Sequence, residues 1–182
     1  MVQRGAVFLV GYMGAGKTSV GRFLAQQLHW QFVDLDDKIE AKSGQRVADI
    51  FANEGESAFR RLEADALAEV VSELTTGQRS IVALGGGAFA NDANASLLQH
   101  FGAPVVWLDA PVPELWERTQ DGALMRPLRT NMDEFGKRYQ DRVPSYSSCN
   151  FRVDTSGKSI ADVAAEVAWL MTIGSACPRE EQ

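Results

Sequence analysis

The chain has 182 residues, 45% of them hydrophobic and 23% charged, which is enough to bury one sizeable core and reads as one domain spanning residues 1–182. A formal net charge of −6 argues against a protein that coats nucleic acid or an anionic membrane by bulk electrostatics, so any cationic site must be local. Cys149 and Cys177 are too few for a disulfide framework and lack metal-ligand spacing to His29 or His100, which fits a reducing cytoplasm.

The apolar run AVFLV at 6–10 predicts a first strand, too short for a secretion signal or a membrane span. GYMGAGKT follows at 11–18, and Val20, Phe23, Leu24 and Leu28 then carry a helical period. A second strand is expected at FVDL, 32–35, running into VDLDD, and a second amphipathic helix at Phe59, Leu62, Ala66, Val70 and Leu74. SIVAL at 80–84 predicts a third strand ending in Gly85, Gly86 and Gly87, VVWLD at 105–109 a fourth, and FRVD at 151–154 a fifth. Between the last two, the polar stretch 119–136 offers no core face and reads as a mobile flap, while the tail from Gly174 reads as frayed. Nearly unbroken apolar strands alternating with helices imply a parallel sheet covered on both faces, a doubly wound α/β fold.

Residues 11–18 spell G-x-x-x-x-G-K-T after a strand and at a helix start. Glycines let the backbone turn so that successive N–H groups point inward, and the helix N-terminus adds its dipole, which together suit a polyphosphate. Gly14, Ala15, Gly16, Lys17, Thr18 and Ser19 form the expected nucleotide-binding set, with Lys17 on the β and γ phosphates and the Thr18 hydroxyl placed to ligate Mg²⁺. Asp34 and Asp36 are expected to leave the second strand on one side, at the sheet edge where α/β proteins bind ligands. Asp34 suits Mg²⁺ and Asp36 suits a substrate hydroxyl, whereas Asp37 suits a helix start. The three glycines at 85–87 allow a ligand to approach the backbone, and Arg60 and Glu63 have the spacing of a helical ion pair, usually a surface feature. Taken singly, these pieces have plainer readings as a connecting turn, an acidic helix start and a solvated charge pair.

In order along the chain, GYMGAGKT, VDLDD, ADIFANEGESAFRRLE, LGGG, RPL and RVPSY resemble shikimate kinase over roughly residues 5–170. The resemblance implies a P-loop three-layer α/β/α fold with a five-stranded parallel sheet and a mobile lid, and ATP-dependent phosphorylation of the 3-hydroxyl of shikimate on the route to chorismate and the aromatic amino acids. It assigns Asp36, Arg60, Gly86 and Arg142 to shikimate, Asp34 to the neighbourhood of Mg²⁺, Arg126 to ATP from the lid, and Arg118 to the flank of adenine. Gly85, Gly87 and Phe59 complete the expected acceptor pocket, and Lys17, Asp36 and Arg126 form the expected catalytic set. A planar carboxylate on a hydroxylated ring calls for paired arginines at one end and for acceptors plus backbone N–H groups at the other, as Arg60, Arg142, Asp36 and the glycines supply. The chain departs from the family after the last strand, where DTSGKS leaves Lys158 as the nearest cation on the adenine side; Arg129 has no assigned role. ATP, Mg²⁺ and shikimate are the expected partners, with no nucleic acid or membrane, and a monomer is the simplest assembly. The alternatives are a gluconate or other small-metabolite kinase of similar build, a nucleoside monophosphate kinase, and a nucleotide-binding module without turnover.

Overall fold

A computed structural model describes residues 5–120 and 131–174. The elements run β1 Ala6–Val10, α1 Lys17–Leu28, β2 Gln31–Asp34, α2 Leu35–Ser43, α3 Val47–Asn53, α4 Glu56–Leu74, β3 Ser80–Ala83, α5 Asp92–Phe101, β4 Val105–Asp109, α6 Val112–Gln120, α7 Met132–Tyr146, β5 Phe151–Asp154 and α8 Ile160–Gly174, with a short 3-10 turn at Ala88–Ala90. Among the described residues the strands form one parallel sheet in the order β2-β3-β1-β4-β5.

Every residue of β1, β3 and β4 is buried, which is why these strands read as nearly unbroken apolar runs, with Ser80 and Asp109 at their ends. Neighbouring side chains on β1 point to opposite faces. Phe8 meets the ring of Phe101 on α5 at 6.1 Å, edge to face. Leu9, one residue on, lies beneath α1, where a Cβ added at Gly21 would come within 3.2 Å of its Cδ1 and 2.5 Å of the Phe32 ring. Helices therefore cover both faces, and the three-layer α/β/α expectation holds.

Several expected boundaries shift. The second strand ends at Asp34 because the Asp34 side chain accepts from the Asp36 N–H and caps α2, so Leu35 opens a helix instead of closing a strand. Asp36 thus lies in the first turn of α2, and the strand alternation expected to align it with Asp34 does not apply. The stretch 119–136 is also less uniform than its polar composition suggested. Thr119 and Gln120 close α6, Met132–Gly136 belong to α7, and Phe135 is in the core against Tyr12 and Trp116, with ring centroids 4.8 and 5.2 Å away. A single aromatic inside a polar run gave no period to read. Arg126 and Arg129, the remainder of the expected lid and the tail beyond Gly174 lie outside the described residues.

Candidate active site

The turn between β1 and α1 takes its shape from its glycines. Gly14 has φ +84°, and a Cβ there would stand 2.4 Å from the Leu115 carbonyl oxygen; at Gly11, φ +141°, a Cβ would stand 2.3 Å from that of Leu108. Neither position admits a side chain without moving backbone. The Lys17 ammonium is folded over its own loop, donating to the Gly11 and Tyr12 carbonyls at 2.8 and 3.2 Å. The Thr18 hydroxyl donates to Asp34 Oδ2 at 2.9 Å, so one carboxylate caps α2 and holds the first turn of α1.

Lys17, Thr18 and Asp34 line a cavity of about 430 Å³ together with Gly14, Ala15, Gly16, Ser19, Asp36, Gly85, Gly86, Arg118, Thr155 and Lys158. Arg118 bridges two sides of this cavity. It donates to the Gly14 carbonyl at 3.4 Å and to Thr155 Oγ1 and the Thr155 carbonyl at 2.9 Å each. Lys158, at the rim, pairs with Glu166 at 2.7 Å.

A second cavity, of about 460 Å³, is lined by Asp36, Phe51, Phe59, Arg60, Glu63, Gly85–87 and Arg142, with Tyr12, Arg46 and Arg138 also on its wall. Both cavities are lined by Met13, Thr18, Asp34, Asp36, Gly85 and Gly86. Their closeness to one another follows from the fold, since β1 and β3 are neighbours and end at the same edge.

Two guanidinium groups meet at Gly87. A Cβ there would lie 2.5 Å from Arg60 Nη2 and 2.6 Å from Arg142 Nη1. Arg60 is held from three sides, by Glu63 at 2.8 Å, by Glu56 at 2.9 Å and by the Phe59 ring beneath it at 5.3 Å. Phe59 is itself buried and packs on Phe51 at 4.6 Å, so it supports the arginine and closes the pocket floor. Tyr146, buried to 1% exposure, donates its hydroxyl to the Gly86 carbonyl.

The Arg60–Glu63 pair is not a surface feature. Glu63 is fully buried, and its Oε1 has no hydrogen-bond partner. A Cβ at Gly85 would sit 2.8 Å from that oxygen and 3.0 Å from Asp36 Oδ1, so two carboxylates abut the same glycine. Burial pushes the Glu63 carboxyl above its ordinary range, opposed by Arg60 and reinforced by Asp36. Sequence reasoning gave Glu63 no place in the site, yet a signal existed. It falls on the stripe of Phe59, Ala66, Leu67, Val70 and Leu74 that α4 buries, and a carboxylate on such a stripe requires a cation.

The expected residues of the described regions are therefore brought together at one sheet edge. Among the described residues no cluster of three or more His, Cys, Asp or Glu side chains could hold a metal. Thr18 and Asp34 do offer adjacent hard oxygen donors, and Mg²⁺ in kinase sites takes one or two protein oxygens along with phosphate oxygens and water. No helix among the described residues is long and apolar enough to cross a membrane.

A phosphate loop at the edge of a parallel sheet, adjoining a pocket of arginines and carboxylates, defines a P-loop phosphotransferase acting on a small acid. The family described as shikimate kinase matches residues 13–171. The shikimate kinase of Symbiobacterium thermophilum is 42% identical over 166 residues, 88% of this chain and 92% of that protein. That of Moorella thermoacetica is 38% identical over 93% of this chain and 98% of its own length. The solved shikimate kinase from Acinetobacter baumannii in complex with shikimate superposes with a TM-score of 0.85 at 32% identity, covering 95% of this chain and 96% of that one. This chain belongs to the shikimate kinase family, whose members are ATP-dependent phosphotransferases.

Proposed function

We propose that this chain moves the γ-phosphoryl group of ATP to the 3-hydroxyl of shikimate, with the nucleotide in the cavity above the phosphate loop and the acid in the cavity beside α4 and α7. The observation that carries this reading is the shared lining of the two cavities. A terminal phosphate in one and a ring hydroxyl in the other would face each other across Asp36, Thr18, Gly85 and Gly86. The A. baumannii relative, solved with shikimate bound, supports the same choice of acceptor.

In this reading the N–H groups of residues 14–19 hold the phosphates, and Lys17 exchanges its two loop carbonyls for phosphate oxygens, a small rearrangement for a long side chain. Arg60 and Arg142 take the acceptor carboxylate where they converge at Gly87, and Glu63 keeps Arg60 aimed. Asp36 accepts the hydrogen bond of the attacking hydroxyl, orients its oxygen in line, and receives its proton as the new P–O bond forms. Thr18 and Asp34 would hold Mg²⁺, which when bound offsets the charge on the transferring group. Arg126 is assigned to the same charge from its place before Pro127. The chain acts as a cytoplasmic monomer on small molecules, its net charge of −6 arguing against nucleic acid or an anionic membrane as a partner.

The test is ADP formation measured with and without shikimate, and with gluconate or AMP in its place. Release should depend on shikimate and be far slower with the others. Asp36→Asn should lower kcat roughly 10²–10⁴-fold and leave ATP binding within a few-fold. ADP release indifferent to shikimate, or loss of ATP binding in Asp36→Asn, would refute the assignment.

A further inference from the structure

Arg142 reaches the acceptor pocket from α7, and little in its own contacts fixes it there; its Nη1 donates to the Gly87 carbonyl at a long 3.4 Å. Its aim depends on how α7 is rotated about its axis. Tyr139, Arg142 and Tyr146 are spaced three and four apart, hence on one helix face. Each tyrosine hydroxyl is fastened to the sheet's carboxyl edge, Tyr146 to the Gly86 carbonyl and Tyr139 to Asp109 Oδ1 at 2.8 Å.

Pro144 has no N–H to give to the Gln140 carbonyl, so the turn that carries Arg142 lacks a rung of the helical ladder. Its side-chain anchors therefore bear more of its orientation, and the partner of Tyr139 is firmly set. Asp109 is 3% exposed at the end of β4, its other carboxylate oxygen accepts from Arg152 at 2.7 Å, and its carbonyl accepts from the Thr155 N–H and hydroxyl at 2.7 and 2.9 Å. A buried carboxylate so held is a fixed, charge-assisted acceptor.

We infer that Tyr139 is a positioning residue for the acceptor: its bond to Asp109 sets the rotation of α7 that directs Arg142 at the substrate carboxylate. This deepens the reading above and rests on Arg142 holding that carboxylate. Removal of the hydroxyl in Tyr139→Phe keeps the ring against Tyr12, 5.8 Å away, and releases only the anchor.

The experiment compares wild type, Tyr139→Phe, Arg142→Ala and the double variant, reading shikimate KM, ATP KM, shikimate Kd by calorimetry and Tm. Tyr139→Phe should raise shikimate KM and Kd on the order of tenfold, since misplacing a positioning group by a fraction of an ångström has effects of that size. ATP KM should stay within about twofold, and the double variant should be no worse for shikimate than Arg142→Ala alone, because Tyr139 acts through Arg142. A Tyr139→Phe protein with lower Tm and unchanged shikimate KM overturns the inference and leaves the function intact, as does an additive double variant. Unchanged shikimate binding in Arg142→Ala removes the carboxylate assignment, and the inference falls with it.

Discussion

The phosphate side of the site draws its loop from residues 11–18, one unbroken stretch. The acceptor side takes Asp36 from α2, Phe59, Arg60 and Glu63 from α4, the glycines from the turn after β3, and Arg142 from α7. A triphosphate can be held by consecutive backbone N–H groups, whose positions follow from local φ and ψ, so one short motif suffices. A ring acid with a carboxylate at one end and hydroxyls at the other needs side chains converging from several directions. The first kind of site is fragile in its backbone and the second in its side chains.

That contrast can be broken or sharpened by substitution. The largest effect is expected at Lys17, where Lys17→Ala should lower kcat roughly 10²–10³-fold with unchanged circular dichroism, because a charge aimed at the transferring group is lost. A variant with near-normal kcat would remove Lys17 from catalysis. Gly14→Ala should next reduce unfolding free energy by about 2–4 kcal/mol in denaturant titration and weaken ATP, since the new Cβ meets the Leu115 backbone at a left-handed φ. On the acceptor side, Glu63→Gln weakens a charge-assisted anchor worth about 1.5–3 kcal/mol, so shikimate KM should rise roughly 10–100-fold while ATP KM holds. Gly87→Ala is the direct counterpart of Gly14→Ala. The three atoms nearest its Cβ are the flexible ends of Arg60 and Arg142 and none is backbone, so the loss of stability should be smaller than in Gly14→Ala while shikimate KM rises about tenfold. Equal losses of stability in the two glycine variants would erase the contrast.

The smallest effect is in alkali, and it reports on the packing behind α7. Tyr12, Tyr139 and Tyr146 are the chain's three tyrosines, and burial raises the pKa of each above 10.0, that of Tyr139 to about 12 with help from Asp109. The fold thus favours neutral phenols. Stability from this source is whole below pH 10 and is lost as pH rises from there toward 12. Phenolate absorbance should appear together with unfolding, and gradual titration near pH 10 with native dichroism would contradict this.

The parallel sheet was legible in the sequence because both faces of β1, β3 and β4 are covered, so their residues are apolar or small except Asp109 at the end of β4. Edge strands gave less: β2 is only partly buried, and its end was misjudged by a residue because a capping aspartate resembles a strand residue until its side chain is seen. Phe135 was missed for want of apolar neighbours. The acceptor residues named from motifs do line the pocket, yet the motifs could not say which pairs meet.

By itself the sequence determined the phosphate loop, the alternation of strand and helix and the family, since each is written in neighbouring residues as backbone geometry or burial period. Only the tertiary structure decided that Glu63 is buried beneath Arg60, that Arg60 and Arg142 converge at Gly87, and that Tyr139 reaches Asp109. The reason is physical: these contacts join residues far apart in the chain, and their strength comes from burial and shared charge, neither of which exists until the helices pack against the sheet.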